Sequence, residues 1–206
     1  MNKHPEYLLN KISGPQDLKK LSIAQMQQLA QEIRTLILEK DAAEGGHLGP
    51  DLGIVEATIA YHYVFDAPKD KIVWDVSHQT YPHKMLTGRA LAWLDPDHYE
   101  DVTPYSNPDE SPYDYYAVGH TSTSIGLATG MAKARDLMGN HENIMALIGD
   151  GSMTGGLAYE GLNNAAIEKH NLVVVVNDNQ MSIDENVGGL VTALKKLRDS
   201  NGETKE

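Results

Sequence analysis

Apolar residues recur at helical spacing from Ile23 onward. Ile23, Met26, Leu29, Ala30, Ile33, Leu36 and Ile37 share one face, which predicts an amphipathic helix over 23–43. Ser22 before it and Gln25 in its first turn have capping-box spacing, and Gly45-Gly46 ends it. A second helix is expected over 53–63, punctuated by Asp66-Ala67-Pro68. Short apolar runs follow: KIVWDV at 71–76, NIMALI at 143–148 and LVVVV at 172–176 each read as a strand. Between the strands, 121–138 is a small-residue helix in which Gly126 and Gly130 should permit close packing on a neighbour. A further helix is expected over 157–167. Strands apolar on both faces suit a parallel sheet covered on both sides, and strand–helix–strand of this length makes a right-handed crossover unit. The fold class expected is α/β, a doubly wound and mainly parallel sheet with helices on both faces. Residues 1–44 form its N-terminal helical segment.

Two stretches break the pattern. Residues 95–116 hold four prolines, five tyrosines and seven acids, with no Lys or Arg. Proline at that density cannot continue a helix or a central strand. The simpler expectation is a solvated loop, the alternative a lid over a site. The tail over 191–206 begins as an amphipathic helix and runs into a polar end, which either frays or continues in a longer protein.

Composition narrows the function classes. The chain has 206 residues, 41% of them hydrophobic and 22% charged, a balance typical of globular proteins. Seventeen basic against 29 acidic side chains give a net charge of −12, which argues against sequence-independent nucleic-acid binding. An acidic chain that takes a phosphorylated ligand needs a metal ion or oriented amides to offset repulsion. Absence of cysteine excludes disulfides, thiolate nucleophiles and Cys-ligated metals. The start shows no apolar run of signal-peptide type, and no stretch could span a bilayer. A cytoplasmic location is expected.

Candidate chemistry begins at Gly149-Asp150-Gly151-Ser152, between a strand and a helix. Ligands of open α/β sheets collect at the carboxyl ends of strands, and glycines there let backbone amides approach a phosphate. Asp150 would repel such a ligand unless magnesium lay between them. Asn179, 29 residues later in Asn177-Asp178-Asn179-Gln180-Met181, would reach the same edge from the next parallel strand, and a carbonyl near Met181 could add a third oxygen. His47, His78 and His120 each lie in a Gly- or Ser-flanked loop before a predicted helix. Imidazoles in such positions can pass protons in carbonyl chemistry. His62 and His83 are expected to pack or cap helices, while His4, His98, His141 and His170 read as surface residues.

GDGSMTGG and VVNDNQMSI together resemble the thiamine-diphosphate motif, in the form found in the 1-deoxy-D-xylulose-5-phosphate synthase family. GGHLGPDLGIVEATIAYHYVFDAPKDKIVWDVSHQTYPHKMLTGR and YAVGHTSTSIGLATGMAKARDL are similar to the same family's N-terminal region, in the same order. Transketolases share the general pattern but not the HQTYPHK or GHTSTSIG wording. The resemblance implies a single diphosphate-binding (PP-type) domain over 1–206, with the pyrimidine-binding and C-terminal domains absent. It implies thiamine diphosphate and Mg2+ as cofactors, with Asp150, Asn179 and the Met181 carbonyl on the metal. Gly151, Ser152 and Asn179 would bind the diphosphate. His78, Gly119, His120 and Thr121 would line the cofactor, and His47 would face the substrate, with His78 and His120 beside it in catalysis.

The implied reaction joins a two-carbon unit from pyruvate to glyceraldehyde 3-phosphate, in a homodimer or paired with a pyrimidine-binding half. The alternatives are a subunit of a split transketolase-type enzyme and a non-catalytic binding or dimerisation relic. The glutamate that activates the cofactor would come from the second domain, so the chain alone is expected to turn over poorly or not at all. Ser77 stands where the family usually has Gly, and Thr121 where it has Ser. Pro50-Asp51 replaces a small polar pair, and the 95–116 loop lacks the family's glycine-rich approach and basic residue.

Overall fold

The computed structural model describes residues 1–168, 171–178 and 187–200. Helices α1 (Pro15–Leu18) and α2 (Ile23–Glu44) open the chain, α3 (Leu48–Leu52) and α4 (Val55–Val64) follow, and strand β1 (Lys71–Trp74) starts the sheet. The short helices α5 (Tyr81–Lys84) and α6 (Leu91–Leu94) come next, then α7 (Ser124–Leu137), β2 (Ile144–Gly149), α8 (Gly156–Glu168), β3 (Leu172–Asn177) and α9 (Gly189–Ser200). The capping box forms as expected: the Gln25 amide donates to Ser22 Oγ at 3.3 Å, and the Ser22 amide to Gln25 Oε1 at 2.9 Å.

Among the described residues the sheet is three-stranded and parallel, in the order β1-β2-β3. Lys71 pairs with Ile144 and Ile144 with Leu172, so the strands run in step and their carboxyl ends share one edge. Alternation along the strands divides the core between two faces. Val73, Ile144, Ala146 and Ile148 meet Ile125, Ala128 and Ala132 of α7 and Ala158 of α8. Ile72, Trp74, Met145 and Leu147 face Ile54, with Ala57 and Tyr61 of α4 packed alongside. The α/β class with helices on both faces is therefore what the chain forms. A second core lies under the N-terminal segment, where Leu29, Ile33, Leu36 and Ile37 of α2 bury with Met85, Leu86 and Trp93. No helix among the described residues is long and apolar enough to cross a membrane.

Several boundaries differ from the sequence reading. β1 stops at Trp74, because Val76 and Ser77 have φ of 54° and 69°, left-handed values that end an extended strand. α7 starts at Ser124 rather than 121, since Ser122 has φ 72°. The space that a Cβ at Gly126 or Gly130 would fill is open, with nothing within 4 Å, so neither glycine is required there by its own missing side chain. The close approach is at Gly161 of α8, whose added Cβ would lie 2.8 Å from the Gly126 backbone nitrogen. Among the described residues β3 is an edge strand, with Val173 and Val176 40% and 38% exposed rather than covered on both faces. His4 is half-buried, hydrogen-bonded to Glu39 at 3.0 Å and stacked on Tyr7.

The 95–116 segment departs most. It contains a 3-10 helix over Pro96–Asp101, and Tyr99, Ser106, Ser111 and Asp114 are buried. Lys84, fully buried, donates to Glu110 at 2.6 Å and to the Thr103 carbonyl at 2.7 Å. Arg89 grips Asp114 through two nitrogens at 2.8 and 3.0 Å and reaches Glu110 at 3.1 Å. The loop is a fastened wall of the molecule, not a solvated excursion.

Candidate functional site

Because the strands are parallel, the turns after β1 and β2 and the carboxyl end of β3 share one edge of the sheet, where ligands of such folds collect. After β2 come Asp150, Gly151 and Ser152. Asp150 is buried, and its amide donates to the Asn177 carbonyl at 3.1 Å, continuing the register that pairs Gly149 with Asn177. The end of β3 therefore lies directly against Asp150. Asn179 and Met181, the other two expected metal ligands, fall outside the described residues. Among the described residues no group of three His, Asp or Glu converges as a metal site. The expected donor set has a single carboxylate, with an amide and a carbonyl oxygen, and such hard oxygens suit magnesium.

The turn after β1 carries His78. Its Nδ1 is buried with no hydrogen-bond partner among the described residues. Burial, and then the neighbouring His47, hold the His78 imidazole below its ordinary range, so it is neutral and offers a nitrogen awaiting a partner. His47 meets it edge-on, ring centroids 5.4 Å apart. Tyr105, from the 95–116 segment, lies 5.4 Å from the His47 ring. The Tyr81 hydroxyl is hydrogen-bonded to His47 Nδ1 at 3.3 Å, and burial followed by the charges of Asp51 and Asp41 pushes the Tyr81 phenol up to about 12. His47, at the start of α3, and His78, before α5, are thus brought together.

His120 is not part of that ring cluster. It stands exposed, its Nδ1 3.0 Å from the Thr121 carbonyl. With Gly119, Tyr116, Val118, Leu127 and Leu157 it lines an open cleft of about 400 Å³. Thr121 is exposed beside it. A larger groove of about 710 Å³ runs between α2 and α4, but its walls are mainly Ile23, Met26, Ile59, Tyr63 and Val64, without the expected chemistry.

Two of the departing residues, Ser77 and Asp51, have structural explanations, whereas nothing in the structure explains Thr121. Ser77 adopts the left-handed φ that glycine takes freely, and its hydroxyl is used twice: it donates to the Val118 carbonyl at 2.7 Å and accepts from the Ser106 amide at 2.9 Å. Asp51 is fully buried and accepts from the Tyr81 amide at 2.9 Å, capping α5 from a distance. Burial raises its carboxyl well above the usual range.

Sequence reasoning missed Asp75, Ser122, Tyr81 and Tyr105. Asp75 is buried and accepts from the amides of Ser122 and Ser124 at 2.8 and 2.9 Å. Those partners lie 47 and 49 residues away, so no local pattern signals them. The relay of His62, His83 and Asp114 was also unforeseen. His62 Nε2 and His83 Nδ1 are 2.9 Å apart, and His83 Nε2 is 2.9 Å from Asp114.

The family model for 1-deoxy-D-xylulose-5-phosphate synthase matches residues 9–205. The chain belongs to that family. The enzyme of that name from Carboxydothermus hydrogenoformans is 51% identical over 191 residues, which are 93% of this chain and 31% of the relative. The one from Symbiobacterium thermophilum is 51% identical over 92% of this chain and 29% of its own length. For Syntrophomonas wolfei the identity is 50%, covering 97% and 32%. The chain therefore spans under a third of the synthases it matches, and it corresponds to their N-terminal part.

Proposed function

We propose that this chain is the diphosphate-binding part of a 1-deoxy-D-xylulose-5-phosphate synthase. That enzyme joins a two-carbon unit from pyruvate to D-glyceraldehyde 3-phosphate, forming 1-deoxy-D-xylulose 5-phosphate and CO2. What supports the reading is Asp150, buried at the carboxyl end of the central strand and backed onto the strand end that leads to Asn179. Family membership implies thiamine diphosphate. When bound, thiamine diphosphate supplies the carbon nucleophile and the electron sink that decarboxylation needs.

The chain's own residues do the rest. Asp150, Asn179 and the Met181 carbonyl would hold Mg2+, offsetting the repulsion between an acidic chain and a diphosphate. Gly151 and Ser152 give their turn to the phosphates. His78, neutral and short of one partner, would hydrogen-bond the cofactor. Gly119, His120 and Thr121 would line it. His47, supported by the Tyr81 hydroxyl, would hold or move a proton at the substrate oxygen. Homodimerisation, or pairing with a pyrimidine-binding half, belongs to the same proposal, since the glutamate expected to activate the cofactor would come from that half. Cofactor binding, rather than turnover, is then the property expected of the chain by itself.

Calorimetric titration of the purified chain with thiamine diphosphate and magnesium tests this. Binding should disappear with a chelator and weaken more than about tenfold in Asp150→Ala, the scale of one lost charged contact. Unchanged magnesium-dependent binding in that variant would overturn the metal assignment.

A further inference from the structure

Among the described residues, those assigned to the cofactor lie on three separate turns, and one buried carboxylate joins them. Asp75 follows the last residue of β1. Its amide extends the ladder to the Leu147 carbonyl at 2.9 Å, and its own carbonyl accepts from Gln79 Nε2 at 3.0 Å, which fixes the turn carrying His78. Its side chain reaches the start of α7. Oδ1 accepts from the Ser122 amide at 2.8 Å and Oδ2 from the Ser124 amide at 2.9 Å. A carboxylate taking two amides in a buried place makes strong, directional bonds. α7 has no side-chain cap from its own N-cap residue Thr123, so Asp75 supplies it from across the fold.

Ser122 carries the connection onward. It sits at φ 72°, a conformation that an L residue keeps only where its surroundings hold it. So held, its hydroxyl donates to the Ser152 carbonyl at 2.7 Å. The seat is tight: a Cβ at Gly155 would come within 2.0 Å of Ser122 Oγ, so glycine at 155 is what admits the serine between the turns. The chain of bonds runs from the His78 turn through Asp75 to the segment following Gly119, His120 and Thr121, and then to the Gly151–Ser152 turn.

We propose that Asp75 is a positioning residue for the cofactor site: acting through Ser122, its carboxylate locks the His120 loop to the diphosphate turn. The role in cofactor binding rests on the thiamine-diphosphate reading above; the locking of the two turns does not. Asp75 touches no reacting group and works by orienting those that do.

The experiment uses Asp75→Asn, Ser122→Ala and the unaltered chain, each checked for native near-ultraviolet circular dichroism. Amide exchange by mass spectrometry is followed in peptides covering 118–125 and 150–156, and magnesium–thiamine diphosphate binding by calorimetry. Asp75→Asn turns one acceptor into a donor facing an amide. Ser122→Ala keeps the helix cap and cuts only the link to Ser152. Both variants should exchange faster over 150–156 and bind the cofactor about tenfold more weakly, the scale of one buried hydrogen bond lost. Exchange in β1 and β2 should be unchanged.

Wild-type binding and exchange over 150–156 in Ser122→Ala would make Asp75 a remote helix cap and overturn the proposal, as would wild-type behaviour of a folded Asp75→Asn. If Asp75→Asn does not fold, Ser122→Ala decides alone. If the unaltered chain binds no thiamine diphosphate, the cofactor reading fails. Exchange over 150–156 then still decides the lock: faster supports it, unchanged refutes it.

Discussion

His62 and His83 stack with ring centroids 5.1 Å apart, both buried. Burial, then the charge of His83, holds His62 well below the ordinary 6.5. Burial also lowers His83, although its hydrogen bond to Asp114 works the other way. In the unfolded chain both would titrate normally. As pH falls through 6.5, the unfolded state takes up protons that the folded state refuses, so stability falls on acidification, by up to about 1.4 kcal/mol per pH unit for each histidine. Asp51 acts in the opposite sense, because its raised carboxyl binds a proton more readily when folded. The His62 contribution is therefore best read as a difference. Between pH 7.5 and 5, His62→Phe should lose less stability in urea unfolding than the unaltered chain. Equal slopes would mean that His62 is not held neutral. Asp114 is a separate case: burial would raise it, but hydrogen bonds from His83 and Arg89 win and hold it well below 3.8. Its stabilising share is complete above that value and is lost only as pH falls further.

Among the elements, the contact of α7 with α8 turns on one glycine. An added Cβ at Gly161 would meet the Gly126 backbone nitrogen at 2.8 Å, and backbone cannot swing aside as a long side chain can. Gly161→Ala should therefore destabilise by roughly 1–3 kcal/mol, the cost of overpacking. Gly126→Ala and Gly130→Ala meet open space in the chain, and each should gain up to about 1 kcal/mol from helix propensity. Thermal unfolding of the three variants checks this; equal losses in all three would refute the assigned geometry. A sequence pattern of small residues shows that helices approach closely, but not which helix supplies the glycine that matters.

At the scale of the whole molecule, the acidic 95–116 segment is held by cations from the adjoining stretch, Lys84 and Arg89. Lys84 is fully buried, which is tolerable only with partners. Burial lowers its ammonium even though Glu110 supports the charge. Glu110→Gln would leave it beside a neutral amide, at a cost of roughly 3 kcal/mol. For a domain of ordinary marginal stability, this should bring a marked fall in the urea midpoint, with faster amide exchange at Thr103 and Asn107. A midpoint within error of the unaltered chain would show that the loop is not fastened there. Because Tyr105 of the same segment borders His47, loosening it should also disturb the histidine cluster.

What the sequence by itself determined are the features written in neighbouring residues. The capping box at Ser22, the period of α2, the three apolar strands and the turn at Asp150 are all local, and local spacing is enough to specify them. Family wording, too, lies along the chain. The sequence also brought His47, His78 and His120 forward as candidates, though only the first two meet. Tertiary structure decided the rest. Val76, Ser77 and Ser122 take left-handed backbone angles that nothing in their own types favours. Asp75 reaches amides 47 and 49 residues on, and the acids of 95–116 find Lys84 and Arg89. A carboxylate reads the same in sequence whether water or a distant amide satisfies it. The packing of the sheet edge chooses between them, since most buried acceptors are kept where a donor is already waiting.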